Sequence, residues 1–430
     1  MNISVLTLFP DLYKTFITTS LIGRACERGQ LNIAVQDFFS FCAPKERLDS
    51  PSYGPGAGMV LKPLIVEQAI QAQEKQHGAA YKIFFSPHGK KLDQQLAAEL
   101  AKILQEKDHL MFVCARYEGM DARVEEEYAD EIISIGDYVL MGGDLPAMVL
   151  LESVLRYVPG IVGKDESVRC DSFSGPLVDY PEYTDPLEWH GEKVPDIVRS
   201  GNHAAIAQWR REQSIKRTML DHFDWFRVHN PDKKLVQEAK KAIPDHYVAL
   251  MHDEVNLKEG RVGTSSVTTF DIHDIARSVL TYGLKKYFVV TPLEDQTIIV
   301  QTLLDFWHDG PGKEYNRHRH DSIERVELAK KLDEVVSAIE KETGKKPLLI
   351  ATSAREVTGG VKEISYCDQG MVWAQDRPVL FIFGTAGGLS ESVLARCDYL
   401  LPPVYGLSEF NHLSVRSAAA VIFDRWLGMQ

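Results

Sequence analysis

No segment of this chain approaches the roughly 20 continuous apolar residues of a membrane-spanning helix, so nothing in it reads as an integral membrane protein of that kind. An excess of positive charge is also missing. With 48 basic and 61 acidic residues the net charge is -13, which argues against a coat of basic surface that grips nucleic acid indiscriminately but leaves local basic patches open. Cysteine is sparse: Cys26, Cys42, Cys114, Cys170, Cys367 and Cys397 show neither a C-x-x-C pair nor a metal-ligand rhythm, the pattern of reduced thiols in a cytoplasmic protein. There is no low-complexity tract. The cluster Tyr53-Gly54-Pro55-Gly56-Ala57-Gly58-Met59 lacks the following Gly-Lys-Ser/Thr of a phosphate-binding loop and the preceding strand of a dinucleotide fingerprint. A mobile loop and a ligand lid both remain open for it. Residues 1–9 are apolar but short and uncharged, and Pro10-Asp11 follows, so they read as a buried first strand and not as a signal peptide.

What is present is a repeated order. Residues 83–160 run from an apolar strand ending at Ser86-Pro87, through a strand opening into Ala115-Arg116-Tyr117-Glu118-Gly119, to a third strand with the turn Ile135-Gly136-Asp137-Tyr138-Val139-Leu140-Met141-Gly142-Gly143 and a long apolar helix. Residues 347–428 repeat it: a strand over 348–353, a strand over 379–383 leading into Gly384-Thr385-Ala386-Gly387-Gly388, then Tyr399-Leu400-Leu401-Pro402-Pro403 and a final apolar helix. Three strand ends followed by small-residue loops can line one crevice where backbone groups reach a ligand. Two such units imply two cofactor crevices in one polypeptide.

At 430 residues the chain has room for two or three domains. Residues 1–160 alternate strand-like runs (2–8, 82–85, 110–114, 131–135) with helical ones, an α/β pattern. A polar, proline-punctuated stretch over 161–185 reads as a long loop. The following region is helical, with Asn202 placed to cap a helix over 203–222. Arg210 and Arg217 share a face of that helix beside Arg211 and Lys216, which fits a solvated surface or a phosphate-contacting patch. A second α/β series starts at 247–251 and continues at 287–290. Asp321 can cap a long charged helix with a stripe of Val326, Leu332, Val335 and Ile339, stopped by Gly344.

Some of these residues could carry chemistry. The Ser134–Pro146 stretch, apolar with three glycines, suits a strand end whose backbone faces a flat ring. Glu152 and Arg156 lie four apart and could be a plain surface pair. Asp171, in Arg169-Cys170-Asp171-Ser172-Phe173-Ser174-Gly175, could be no more than a solvated loop carboxylate.

Several motifs in order change the weight of these residues. Arg116-Tyr117-Glu118-Gly119-Met120-Asp121-Ala122-Arg123-Val124, the turn over 135–140, Leu145-Pro146-Ala147-Met148, Asp171-Ser172-Phe173 and Ser200-Gly201-Asn202-His203 together resemble the bacterial tRNA (guanine-N1)-methyltransferase family that acts at position 37, over about residues 1–240. The resemblance implies a SPOUT fold with a deep trefoil knot binding bent S-adenosylmethionine, a homodimer with each active site shared across the interface, tRNA as substrate and magnesium in the reaction. It implies cofactor contacts from Ser86, Pro87, Ala115, Gly119, Ile135, Gly136, Tyr138, Leu140, Gly142, Gly143 and Pro146. It makes Asp171 the general base, Arg156 its companion, and Glu118 a neighbour of magnesium or substrate. Two departures stand out: Gly54-Pro55-Gly56 replaces three consecutive glycines, and Ala115 replaces a glycine beside the cofactor.

Residues 246–430 resemble another SPOUT branch, an RNA methyltransferase-like domain. The resemblance rests on Thr268-Thr269-Phe270-Asp271-Ile272-His273-Asp274-Ile275-Ala276-Arg277, Ala351-Thr352-Ser353-Ala354-Arg355, Phe383-Gly384-Thr385 and Asn411-His412-Leu413-Ser414-Val415-Arg416-Ser417-Ala418. It implies a second S-adenosylmethionine site at Thr352, Ser353, Gly384, Gly388, Leu389, Leu401, Pro403 and Ser414, with Arg355 and Arg416 as candidate contacts. Ala386-Gly387-Gly388 stands where the ribose-methylating branch has an acidic residue in its middle motif, so no catalytic mechanism is assigned. Tyr315-Asn316-Arg317-His318-Arg319-His320 offers Arg317 and Arg319 to an RNA backbone, or is an exposed loop; the adjacent Asp321 alone is thin support for a metal site. The expected organisation is an α/β chain with two SPOUT-type knotted domains, 1–162 and 246–430, separated by an active-site linker (163–185) and a small helical tRNA-binding domain (186–245). The C-terminal domain either methylates a further RNA site or serves as a non-catalytic RNA-binding or dimerisation module. A cytoplasmic location is expected, with no membrane or DNA partner.

Overall fold

Short runs of β-branched and aromatic residues, each followed by a helix-forming segment, build two separate parallel sheets. The computed structural model describes residues 1–55, 58–162, 171–357 and 360–429. The chain divides into two compact units, Met1–Ser174 and Gly175–Gln430.

In the first unit, β1 (Asn2–Thr7), β2 (Asn32–Asp37), β3 (Tyr81–Lys91), β4 (His109–Val113) and β5 (Glu131–Ser134) lie in the order β2-β1-β4-β3-β5, all parallel. Every residue of β4 is buried, as a central strand covered on both faces requires. The strand expected to end at Ser86-Pro87 runs on to Lys91, with a register shift against β5 between Phe85 and Lys90. That bulge takes Ser86 and Pro87 off the ladder, which leaves them available to a ligand. The helix Asp144–Leu155 is apolar nearly all round and buries Ala147, Leu150, Leu151 and Val154 against Ile83 and Phe112 of the sheet.

In the second unit, β6 (His246–Met251), β7 (Lys286–Val290), β8 (Val326–Ala329), β9 (Leu348–Thr352), β10 (Lys362–Glu363), β11 (Val379–Gly384) and β12 (Tyr399–Leu401) lie in the order β8-β7-β6-β11-β9-β12-β10. All neighbours are parallel. One expectation fails here. Asp321 does not cap a long helix: it lies inside the short helix Arg317–Ile323, Val326–Ala329 is a strand, and a separate helix, Leu332–Thr343, follows. Gly344 ends that helix in the left-handed conformation (φ 72°), the role glycine takes most cheaply. The Tyr315–His320 cluster is likewise helical and not a loop, with His320 buried and Arg319 over the Trp307 ring.

The helix His203–Asp221 starts where expected, with the Asn202 side chain accepting from the Ala205 N–H. Its buried face (Ile215, Met219), with Phe223 and Phe226 of the next helix, joins the core that holds Trp373, Phe381 and Trp426. Arg227 reinforces the join by donating to the carbonyls of Asp424 and Arg425 at 3.1 and 3.2 Å. The helical stretch is therefore built onto the second sheet and shares its core. No helix among the described residues is long and apolar enough to cross a membrane.

His246 sits at the centre of this core. Its Nε2 accepts from the indole N–H of Trp373 (3.0 Å) and of Trp426 (3.2 Å), which only an unprotonated nitrogen can do. Burial pushes its pKa down to about 3, and burial likewise pushes that of His252 down to about 4. Both rings are free to take a proton near pH 6.5 once unfolded. Between that pH and their folded values the unfolded state binds more protons, so stability falls as pH falls. Each ring contributes a slope of about 1.4 kcal/mol per pH unit. Urea unfolding at pH 7, 6 and 5, followed by tryptophan fluorescence, is expected to show this loss for the second unit and to lose the His246 part of it in His246→Phe.

Candidate active sites

Parallel strands bring their carboxyl ends to one edge, and in the first unit the segments after β4 and β5, with the bulged end of β3, enclose a cavity of about 410 Å³. Ser86, Pro87, Ala115, Gly119, Ile135, Gly136, Tyr138, Leu140, Gly142, Gly143 and Pro146 all line it, as does Glu118. The size suits a drug-sized organic ligand. Sequence reasoning passed over His88, Arg116 and Glu125, which also line the cavity. Glu125 is half-buried, and that burial raises its pKa above the usual carboxylate value, with His88 opposing the shift.

One buried carboxylate fixes the shape of this pocket. Asp144, at the start of the long helix, is 1% exposed. Its Oδ1 accepts from Thr7 Oγ1 at 2.5 Å, and its Oδ2 accepts from Arg116 Nε at 2.8 Å. Tyr13 donates to the same residue at 3.3 Å, and the Arg116 guanidinium lies 4.6 Å over the Phe9 ring. The turn over 142–143 is thereby held on the loop after β4, where the Gly143 N–H donates to Ala115 O at 2.9 Å. Gly142 leaves no room for a side chain: a Cβ there would fall 2.3 Å from Arg116 Cδ and 2.9 Å from Ala115 O.

Glu118 stands beside the glycine loop. Its N–H donates to Met59 O at 3.1 Å, and a Cβ on Gly58 would meet Glu118 Cγ at 2.3 Å. Among the described residues the three-residue cluster that could hold a metal is His320, Asp321 and Glu324, which does not include Glu118. Arg156 and Asp171 form an ion pair with each other, both part-exposed, and neither lines the cavity of their own unit.

The second unit encloses a cavity of about 490 Å³. Thr352, Ser353, Gly384, Gly388 and Ser414 line it, together with Arg355 and Arg416. Leu389, Leu401 and Pro403 do not. The loop over 384–389 is pulled tight onto Asn256, whose side chain donates to Leu389 O at 2.7 Å and whose carbonyl accepts from Gly387 N–H at 2.7 Å. Leu389 is consequently buried in the core, and Leu401, the last residue of β12, is buried within the sheet. His252, Ser265, Thr268, Asp271 and Thr385 also line the cavity, and none of them was assigned a site role from the sequence.

Residues 1–228 match the tRNA (guanine-1)-methyltransferase TrmD family, and residues 245–428 match a SAM-dependent RNA methyltransferase family. The chain belongs to the tRNA (guanine-1)-methyltransferase family. A tRNA (guanine-N(1)-)-methyltransferase of Oleidesulfovibrio alaskensis is 38% identical over 434 residues, spanning 100% of this chain and 99% of that protein. One of Nitratidesulfovibrio vulgaris is 39% identical over 437 residues with the same coverage. The Shouchella clausii protein of the same name is 44% identical, but its match covers 98% of its own length and 56% of this chain. The first unit and the helical stretch thus correspond to a family member of ordinary length, and the second sheet is an addition shared with the longer relatives.

The arginines expected to meet RNA are mostly engaged within the chain. Arg210 pairs with Glu182 and lies over Tyr180, Arg211 pairs with Glu238, and Arg217 donates to Asp179 O. Lys216 and Arg317 are exposed. Asp144→Asn is expected to destabilise the first unit by roughly 3 kcal/mol. That is the low end for removing one partner of a buried ion pair, because Arg116 keeps some contact with water. Thermal unfolding of the variant, compared with an Asp137→Asn control on the exposed turn, checks it.

Proposed function

We propose that the first unit transfers a methyl group from S-adenosylmethionine to N1 of guanine 37 in tRNA, as a homodimer whose active sites lie at the subunit interface. The observation that carries this reading is the separation of binding and base: the glycine-lined pocket is complete within one unit, while the Arg156–Asp171 pair stands outside it. A partner subunit can bring its own pair to the pocket. An exposed apolar face beside the pocket, with Val139 83% and Met141 88% exposed and Leu145 and Val149 also uncovered, gives such a partner something to bury. The trefoil knot and the shared two-fold axis belong to this proposal.

The chemistry follows from the residues. Bound S-adenosylmethionine supplies an electrophilic methyl group on a positively charged sulfur. Gly136, Tyr138, Gly142 and Gly143 would hold it, and Ile135, Leu140 and Pro146 would offer it apolar surface. Guanine N1 carries a proton at neutral pH and is a poor nucleophile until that proton leaves. The Asp171 carboxylate takes it, an act worth about 10²–10⁴ in rate. Arg156 holds Asp171 in place and stabilises the negative charge that builds toward O6. Magnesium would find two carboxylates in the lining here, Glu118 and Glu125; such ions commonly keep several waters and use substrate oxygens for the rest, and no step is routed through it.

The helical stretch over 186–245 would carry the tRNA stem, with Lys216 as a phosphate contact and the paired arginines exchanging their carboxylates for phosphates. We assign the second unit as a SPOUT-type domain that binds S-adenosylmethionine and methylates a further RNA site. Asp171→Asn is expected to lower single-turnover methylation of unmodified tRNA by about 10²–10⁴ while S-adenosylmethionine binding by titration stays near wild type. A fully active Asn variant would remove Asp171 as the base.

A further inference from the structure

Among the buried titratable groups that the first reaction leaves unused, His252 lies against a cavity. It follows β6 directly and forms part of the wall of the second unit's cavity. We assign its tautomer from one direction of the hydrogen-bond chain that reaches Nδ1. Thr385 Oγ1 gives its proton to Met251 O at 2.8 Å. The 2.5 Å contact between Thr385 Oγ1 and Ser265 Oγ must then use the Ser265 proton. That leaves Ser265 Oγ only as an acceptor toward His252 Nδ1, 3.0 Å away, so Nδ1 is the protonated nitrogen. Nε2 carries the lone pair. It is buried and has no hydrogen-bond partner, a costly state for a polar atom.

The surroundings suit a ring that gains charge during a reaction. Asp271, 7% exposed, accepts from Thr268 Oγ1 at 2.5 Å and from Arg416 Nη1 at 3.3 Å. Burial disfavours the imidazolium form of His252, and the Asp271 carboxylate opposes that effect. In the sheet, β6 lies on the far side of β11 from β9 and β12. The loops after β9 and β11, with Ser414, supply the cavity-lining residues assigned to S-adenosylmethionine, which leaves His252 for the second reactant.

We propose that His252 is the proton acceptor of the second unit, taking through Nε2 the proton of an O–H or N–H nucleophile of RNA as that atom is methylated. The new bond joins the nucleophile to the methyl carbon. The sulfur–methyl bond breaks with its electron pair kept on sulfur, and the nucleophile's proton moves to Nε2. The ring keeps its Nδ1–H on Ser265, and the resulting positive charge faces Asp271. This inference rests on reading the second unit as an RNA methyltransferase, and it adds the identity of the base and the requirement that the target atom start with a proton.

The test uses the full chain and His252→Gln, which keeps a polar group at the Nε2 position but cannot carry the proton away. Nitrogen NMR of histidine-labelled protein is expected to show a neutral, Nδ1-protonated ring that is missing in the variant. Incubation with total RNA lacking modifications, followed by nucleoside mass spectrometry, is expected to give a second methylated nucleoside besides 1-methylguanosine. Its rate of formation should fall at least a hundredfold in His252→Gln. Formation of 1-methylguanosine and the stoichiometry of S-adenosylmethionine binding should stay unchanged. An Nε2-protonated ring, or a variant that forms the second nucleoside at the wild-type rate, overturns the assignment of His252 and leaves the methyltransferase reading standing. The absence of any second methylated nucleoside with the wild-type chain overturns both.

Discussion

The first pocket depends on Asp144. A carboxylate this deeply buried is tolerable only because Thr7 and Arg116 satisfy it. The same bonds tie the end of β1, the loop after β4 and the start of the long helix into one body. That tie decides what the pocket can contain. At Gly142 its wall is bare backbone, because Arg116 and Ala115 press against that position and leave no side-chain volume there. A pocket shaped this way can hold and orient a ligand, but Asp144 is already committed and the Arg156–Asp171 pair lies outside the lining. The division of labour proposed between the subunits follows from this commitment.

The second unit reaches a similar end with different residues. There too a buried carboxylate, Asp271, takes a hydroxyl and an arginine, and the arginine belongs to the segment that opens the last helix. The glycine-rich loop after the central strand is again clamped by a side chain from elsewhere, here Asn256. The difference lies in what remains uncommitted. In the second cavity an imidazole nitrogen in the wall is without a partner, which places a proton acceptor within the unit itself.

Much of this was legible in the sequence, and the exceptions have physical causes. The strand ends and small-residue loops were readable because a bend that presents backbone to a ligand needs glycine, and Ile135, Gly136, Tyr138, Leu140, Gly142 and Gly143 do line the cavity. The Asn202 cap was readable because the side-chain chemistry of a helix start is local. Val326 was assigned to a helix because a four-residue buried strand and a helix segment look alike to any periodicity argument. Asp144 and Asp271 were passed over because a lone acidic residue normally signals solvent, and only the fold brings Thr7 and Arg116, or Thr268 and Arg416, around it. Leu389 and Leu401 turned inward for a similar reason: an apolar residue in a loop or at a strand end gives no sign of whether it faces a ligand or the core. Nor could composition tell that the helices from His203 onward would bury Ile215 and Met219 on the second sheet.

The claim on which the account turns is that pocket and base come from different subunits. Complementation tests it directly, by mixing a chain that lacks the base (Asp171→Asn) with one whose pocket is blocked (Gly142→Val), after dissociation and reassociation. A shared site predicts that two variants inactive alone regain guanine methylation together. Random pairing makes half the dimers mixed, each with one of two sites intact, so recovery should be about a quarter of wild type. No recovery in a mixture shown to contain mixed dimers would contradict it.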